Sequence, residues 1–180
     1  SICFTHFARH LPGYSSATME RIQTQIQEQF RRAFFDTIRE AVASDPPNVE
    51  YIVRLYTEIR DRFAAFVRPS GPTYNRIHEQ FDVPFFQQLM EHNAFTGESL
   101  LGLVNTTFGW VEQLQTPARD AECAAAKQRV MDSGRTMAEI VPAYIRETHH
   151  CLDYMEEDMR AFMQHKDHPV VQHALRTMKK

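Results

Sequence analysis

Apolar residues recur every three or four positions along almost the whole chain, and this spacing is the feature that most restricts its fold. One such stripe runs through Ile22, Ile26 and Phe30, and another contains Ile52 and Ile59. Helices place residues three and four positions apart on one face, whereas strands need alternation with a period of two. No segment alternates for long enough to predict a strand. The pattern therefore predicts an all-α fold, a bundle of about six to eight helices with no sheet and over about two-thirds helix.

Prolines and capping residues divide this pattern into separate helices. Pro46 and Pro47 end the first long helix, because a proline inside a helix removes a hydrogen bond and clashes with the preceding turn. Asp82 is expected to separate two short helices. Thr136 and Glu139 have the spacing of a capping box, in which each side chain binds the backbone N–H of the other residue, so they predict the start of the last long helix.

Length and composition favour one domain over residues 1–180, with an N-terminal arm over 1–16 packed on a helical bundle over 17–180. The net charge of −3 does not favour nucleic-acid binding. Cys3, Cys123 and Cys151 lack the spacing of a zinc finger or a disulfide framework, which favours a reducing compartment. No apolar run reaches the roughly 20 residues of a membrane span. We therefore expect a cytoplasmic protein with no membrane span.

The stretch Thr116-Pro117-Ala118-Arg119-Asp120 has the character of a structural signature. Thr116 is predicted to be an N-cap whose hydroxyl accepts from a backbone N–H, and Pro117 to occupy the first helical position. Arg119 and Asp120 are expected to join the cap or to reach a neighbouring helix. The acidic run within residues 153–158 is either a solvated face or a counterpart for Arg119 or for a basic partner.

The segments TPARD and EIVPAYIRETHHCLDYMEEDMRAF, in this order and at this separation, resemble the T-complex protein 11 family. The upstream segments RRAFFDTIREAVASDPPNVEYIVRLYTEIRDRFAAFVRPS and FDVPFFQQLMEHNAF do so too, and the resemblance covers roughly residues 28 to 165. It implies a non-catalytic protein-interaction module of cyclic-AMP and protein kinase A signalling, or of flagellum-associated assembly. It also implies that the chain is the N-terminal part of the longer family domain or a shortened relative.

Histidines and acids near the C-terminus provide the alternative hypothesis, a metal-binding protein or an enzyme. Glu147 and His150 have the Glu-x-x-His spacing of di-iron carboxylate bundles, but such a site needs a second motif that the chain lacks. A further group is able in principle to hold zinc; its members are His165, Asp167, His168 and His173. Solvated histidines at a helix end are the simpler interpretation. We expect no metal, no cofactor and no catalytic residue, since a nucleophile on a tight turn and a Gly-rich phosphate loop are also absent from the sequence.

Two regions with large apolar side chains beside chain breaks are the predicted partner-binding surface. They lie at the junction around Asp82 and in the last amphipathic stretch, where a monomer can least easily cover them. The alternative is that both are buried against the domain's own N-terminal arm. The residues proposed to contact a protein partner are Phe81, Phe85, Phe86, Val170, Val171, Leu175 and Met178.

Overall fold

A computed structural model describes residues 15–178, and within this range the chain forms eight α-helices, one short 3-10 helix and no strand. The all-α prediction is therefore confirmed. Residues 1–14, most of the predicted arm, lie outside the described residues. In chain order the elements are α1 (Ser16–Ala43), α2 (Val49–Ala64), α3 (Pro72–Gln80), α4 (Val83–Glu91), α5 (Gly97–Leu114), the 3-10 helix (Pro117–Arg119), α6 (Asp120–Met131), α7 (Met137–His165) and α8 (Pro169–Met178).

Helix boundaries follow the capping signals of the sequence. Asp82 separates α3 from α4 as predicted, and its carboxylate accepts a hydrogen bond from the backbone N–H of Phe85 at 3.0 Å. At the start of α7, Glu139 Oε2 accepts from the backbone N–H of Thr136 at 3.1 Å. These bonds satisfy N–H groups that have no partner inside the helix, so at these two positions the capping residues mark the start of the helix.

The chain divides into two compact units, residues 1–38 and 39–180. The described part of the first unit is most of α1, where no side chain between residues 15 and 37 is buried and Phe30 is 70% exposed. Glu28 and Arg32 form an ion pair along one face of this helix at 3.1 Å. Because both side chains are exposed, the pair contributes little to stability.

One half of the core of the second unit consists of aromatic rings from α2 and from the α3–α4 junction. Phe63 and Phe81 are fully buried and stack with their ring centres 5.6 Å apart. Phe86 stacks on Tyr56 at 4.2 Å. Neither Phe81 nor Phe86 is exposed, which corrects the expectation that both side chains lie on the surface. They are buried because the break at Asp82 turns the chain so that both rings pack onto α2.

The other half of this core is formed where α5 and α6 pack against α7. Tyr144 of α7 is buried, and its hydroxyl forms a 2.8 Å hydrogen bond with that of Thr107 in α5. Ala126 of α6 is fully buried, as are Cys151 and Leu152 of α7. After Met155 no residue of α7 is buried. The last part of this helix therefore extends past the core.

Candidate functional site

The signature stretch forms a tight turn between α5 and α6. Pro117 is the first residue of the 3-10 helix, as the sequence predicts. The predicted role of the Thr116 hydroxyl is wrong, because it makes no cap and instead donates to Asp158 Oδ2 on α7 at 3.2 Å. The backbone carbonyl of Thr116 binds the N–H of Arg119 at 2.9 Å. A hydrogen bond to a carboxylate is charge-assisted and therefore stronger than one between a hydroxyl and a backbone N–H. The Thr116 side chain accordingly binds Asp158 on α7 and does not cap the helix.

Arg119 holds this turn against α7 through one carboxylate and one aromatic ring. Its Nε donates to Asp158 Oδ2 at 3.2 Å and its Nη2 to Oδ1 at 3.0 Å, a two-point contact that fixes the orientation of both groups. The guanidinium lies 4.1 Å from the centre of the Tyr154 ring, and Glu157 is 3.8 Å away. These hydrogen bonds from Arg119 hold the pKa of the Asp158 carboxyl below its ordinary value. The predicted contact of Arg119 with a neighbouring helix is confirmed.

Alternating charges continue from this clamp along the seam between α6 and α7. Arg129 of α6 donates to Glu147 Oε2 at 3.0 Å and to Glu122 Oε1 at 2.9 Å. Arg146 donates to the other oxygen of Glu147 at 3.2 Å. His150 Nε2 lies 3.1 Å from Glu122 Oε1. The Glu147 side chain is only 8% exposed, so this seam binds a buried carboxylate with two arginines.

A second arginine clamp joins α2 to α7. Arg62 donates to Asp153 Oδ1 at 2.8 Å and to Glu156 Oε1 at 3.0 Å. Arg62 and Arg119 together form ion pairs with most of the acidic side chains within residues 153–158. These carboxylates are therefore contacts within the second unit. The contact with Arg119 was one of the alternatives that the sequence left open, whereas the contacts with Arg62 were not predicted.

Beyond these clamps, the end of α7 and the start of α8 expose large apolar side chains. Met159 is 41% exposed, Phe162 47%, Met163 54% and Val170 69%. We call these four residues the distal apolar surface. On α7 they continue the spacing of the buried Met155, so the stripe that faces the core runs on past the end of the core. The sequence pattern contained this stripe but gave no sign that its second half is exposed.

Comparison with known families identifies the chain. The family model described as T-complex protein 11 matches residues 11–172. The chain belongs to the T-complex protein 11 family. The match includes the signature turn, both arginine clamps and the α6–α7 seam, and it confirms the resemblance inferred from the sequence. No solved structure matches the chain.

The other residues predicted to bind a partner differ in how far their side chains are exposed to solvent. Phe85 is 56% exposed on α4, which leaves it available at the surface. Val171 and Leu175 of α8 are half-buried, whereas Val170 is open to solvent. The side chain of Met178 lies outside the described residues. Phe85 and the start of α8 thus remain as candidate contacts.

The candidate metal ligands do not converge on one point. Among residues 15–178 no group of three or more His, Cys, Asp or Glu side chains is arranged to hold an ion. His150 is instead bound to Glu122, and Glu147 to two arginines. His168 Nδ1 accepts a hydrogen bond from the backbone N–H of Val170 at 3.2 Å, so it caps α8. His165 and His173 are exposed on either side of it.

Both described cysteines lie buried where α6 meets α7. Cys123 is 4% exposed and Cys151 fully buried, and burial raises the pKa of both thiols. The thiolate is the nucleophilic form of cysteine, so these two side chains are poorly suited to covalent chemistry.

In the described part of the chain no helix has the length and apolar character needed to cross a membrane.

Replacing Arg119 tests whether the signature is architectural. We expect Arg119→Ala to lower the Tm at neutral pH and to leave partner binding by the folded protein intact, because the side-chain contacts of Arg119 among the described residues all lie on α7. The pKa of Asp158 is depressed in the folded state, so the stabilisation is fully present above the ordinary value of 3.8 and is lost as the pH falls from there through the lowered pKa of the folded protein. Thermal unfolding should therefore show a smaller Tm difference between variant and wild type at pH 3 than at pH 7.

The matched control for this variant is Asp158→Asn. It should lower the Tm similarly, and adding Arg119→Ala to it should change the Tm little further, since the two residues act as a pair. A variant Arg119→Ala that melts like the wild type but no longer binds its partner would show that Arg119 acts in recognition.

Proposed function

We propose that this protein is a non-catalytic helical interaction module that binds another protein in the cytoplasm. Its pathway, inferred from family membership, is cyclic-AMP and protein kinase A signalling or flagellum-associated assembly. The observation that carries this proposal is the distal apolar surface. Four large apolar side chains beyond the core of one helical unit are the kind of surface that proteins use to bind each other.

The composition of this surface suits protein recognition. Methionine has a flexible and polarizable side chain that adapts to different partners, and Phe162 supplies an aromatic anchor. The two arginine clamps bind carboxylates directly before the surface, at Glu156 and Asp158. They fix this part of α7 to the domain. The exposed stripe is therefore held in place before a partner arrives, which lowers the entropic cost of binding.

The chemistry of the remaining side chains supports a role without catalysis. The charged groups of the α6–α7 seam are already bound to one another, and the two described thiols are buried with raised pKa values. A catalytic site instead requires a nucleophile or a base presented to a substrate. The seam has the character of a structural ion-pair network.

Charge-introducing variants test the proposed surface. Phe162→Glu and Val170→Glu should keep the Tm of the wild type, because both side chains are exposed, and should weaken partner binding by about tenfold or more each. Partners are purified from the native cell with the wild-type protein and identified by mass spectrometry, and their binding to each purified variant is then measured. A protein kinase A subunit, one of its regulators or a flagellar component is the expected partner.

Leu101→Glu is the matched control, since Leu101 is 43% exposed on α5 and lies outside the distal apolar surface. It should bind the same partner with wild-type affinity. If both Phe162→Glu and Val170→Glu retained partner binding, the proposal that the distal apolar surface binds the partner would be wrong. If the purified partners had no connection with cyclic-AMP signalling or flagella, the proposed assignment of the protein to these pathways would be wrong.

A further inference from the structure

The part of the chain that contains the distal apolar surface has a charge opposite in sign to that of the rest. Residues 159–180 contain five Lys or Arg residues and a single acid, Asp167, which gives a net charge of +4. The whole chain has a net charge of −3, so residues 1–158 have −7. A local excess of one sign attracts and orients a partner of the opposite sign. The distal apolar surface therefore lies in a basic region of an acidic chain.

Two of these basic side chains lie directly beside the exposed apolar residues of α7. Met159 and Met163 line a surface recess of about 540 Å³, and Arg160 lines it with them. Lys166 is the C-cap of α7 and has helical backbone angles. It follows Phe162 by four residues, so it lies on the same face of the helix one turn further on. The apolar stripe thus has one cation on its flank and another at its C-terminal end.

These cations are available to a partner. Arg160, Lys166 and Arg176 are exposed, and within residues 15–178 none of the three takes part in an ion pair. The carboxylates that precede the surface are bound elsewhere, because the two arginine clamps hold Glu156 and Asp158. The positive charge beside the apolar stripe is therefore not compensated by these neighbouring acids.

The shape of this surface suits a helix of the partner. Its residues on α7 are three and four positions apart, so they form a ridge along one face, and helices pack by fitting such ridges into the grooves of another helix. Residues 15–178 form no strand and so offer no sheet edge to which an extended segment could add. From Met155 to Lys166 the helix advances about 17 Å, or three turns. An amphipathic helix of three or more turns matches this length.

We propose that the distal apolar surface binds an amphipathic helix of a partner protein in which aspartates and glutamates flank the apolar face. The apolar face of that helix packs on the distal apolar surface, and its flanking carboxylates bind Arg160 and Lys166. Charge pairs at the edge of an interface accelerate association and exclude partners of the wrong charge, while the apolar contacts supply most of the affinity. This inference rests on the proposed function, since it names the kind of segment that the partner presents.

Two synthetic peptides test the charge preference. Both are terminally blocked, about 20 residues long so that they can form a helix, and have leucine at helical spacing. The flanking positions are glutamate in one peptide and lysine in the other. Fluorescence anisotropy at low salt should show that the acidic peptide binds at least about tenfold more tightly, and added salt should reduce this difference by screening exposed charges. Equal affinities, tighter binding of the lysine peptide, or no binding of the acidic peptide at millimolar concentration would each overturn the proposal.

Removing charges from the protein is the second test. The double variant Arg160→Gln/Lys166→Gln should keep the Tm of the wild type, because both side chains are exposed, and should bind the acidic peptide about tenfold more weakly. The matched control Lys127→Gln/Arg135→Gln removes the same number of charges from α6 and from the turn before α7, and it should bind like the wild type. If the two double variants bind the acidic peptide equally well, Arg160 and Lys166 take no part in recognition and the proposal is wrong.

Two further measurements examine other occupants of the same surface. Vesicles of phosphatidylserine and phosphatidylcholine that bind the wild type but not Phe162→Glu would assign the surface to an anionic membrane. A dimer in analytical ultracentrifugation that Phe162→Glu dissociates would assign it to a second copy of the chain. Either result would overturn the acidic helix as the occupant.

Failure of this inference and failure of the proposed function give different results. If Phe162→Glu loses the native partner and Arg160→Gln/Lys166→Gln binds it with wild-type affinity, the surface remains a protein interface and only its preference for an acidic helix is wrong. If Phe162→Glu retains the native partner, the proposed function is wrong and this inference fails with it.

Discussion

Phe81→Glu is expected to unfold the second unit, whereas Phe85→Glu should leave it folded. Phe81 is fully buried between the rings of Tyr56 and Phe63, with ring centres 5.8 and 5.6 Å away. Losing a buried phenylalanine costs about 3–5 kcal/mol, and an unpaired buried carboxylate adds several more. This sum approaches the entire stability of about 5–15 kcal/mol of an ordinary domain. Phe85 is 56% exposed, so a charge there remains in water.

Circular dichroism and thermal melting distinguish the two variants. Phe81→Glu should show no cooperative transition, and Phe85→Glu a Tm close to that of the wild type. Phe81→Leu is the control, because it keeps an apolar side chain and should retain a cooperative but lower transition. A cooperative melt of Phe81→Glu at the wild-type Tm would mean that Phe81 is exposed in solution. Weakened partner binding by folded Phe85→Glu would add this residue to the interface.

The burial of Phe81 and Phe86 illustrates a limit of the sequence argument. Both lie beside a chain break, and this local signal correctly located the junction between α3 and α4. Whether their rings face solvent depends on α2, since Phe86 stacks on Tyr56, 30 residues earlier in the chain. Helical spacing in segments of nine residues does not specify which face meets a distant helix. Helix boundaries depend on neighbouring residues and were predictable for that reason.

The candidate site was predictable where one charge pattern is distinctive. The run within residues 153–158 contains four acids, so its contact with Arg119 was among the expectations, and the structure shows the pair with Asp158. Arg129 and Glu122 were not predicted. They are two turns apart on α6 and therefore share a face, but many exposed pairs have this spacing. What distinguishes them is the buried Glu147, and burial depends on how α6 packs on α7.

The distal apolar surface could not be predicted from the sequence, for a related reason. Met155, Met159, Phe162 and Met163 form one regular stripe on α7, yet Met155 is 4% exposed and Met163 is 54% exposed. A hydrophobic stripe records which face of a helix is apolar and not how far along the helix its neighbours extend. Val170 belongs both to this surface and to the binding region predicted in α8.

Arg129→Ala is expected to lower the free energy of unfolding by about 2–3 kcal/mol, a large effect for a partly exposed side chain. The reason is Glu147, whose side chain is only 8% exposed and would keep Arg146 as its single cationic partner. Removing one partner of a buried pair leaves a poorly compensated charge, and this is more costly than the pair itself is stabilising. Glu147→Gln should therefore be less destabilising than Arg129→Ala, because it removes the buried charge.

Urea unfolding of both single variants and of the double variant measures this asymmetry. In the background of Arg129→Ala, the change Glu147→Gln should restore part of the lost stability, since no buried carboxylate then remains. Arg32→Ala is the control, because its pair with Glu28 is exposed on both sides and should contribute less than about 1 kcal/mol. Equal losses for Arg129→Ala and Arg32→Ala, or simple addition in the double variant, would show that Glu147 is solvated. The seam between α6 and α7 would then be a surface feature with no role in holding the two helices together.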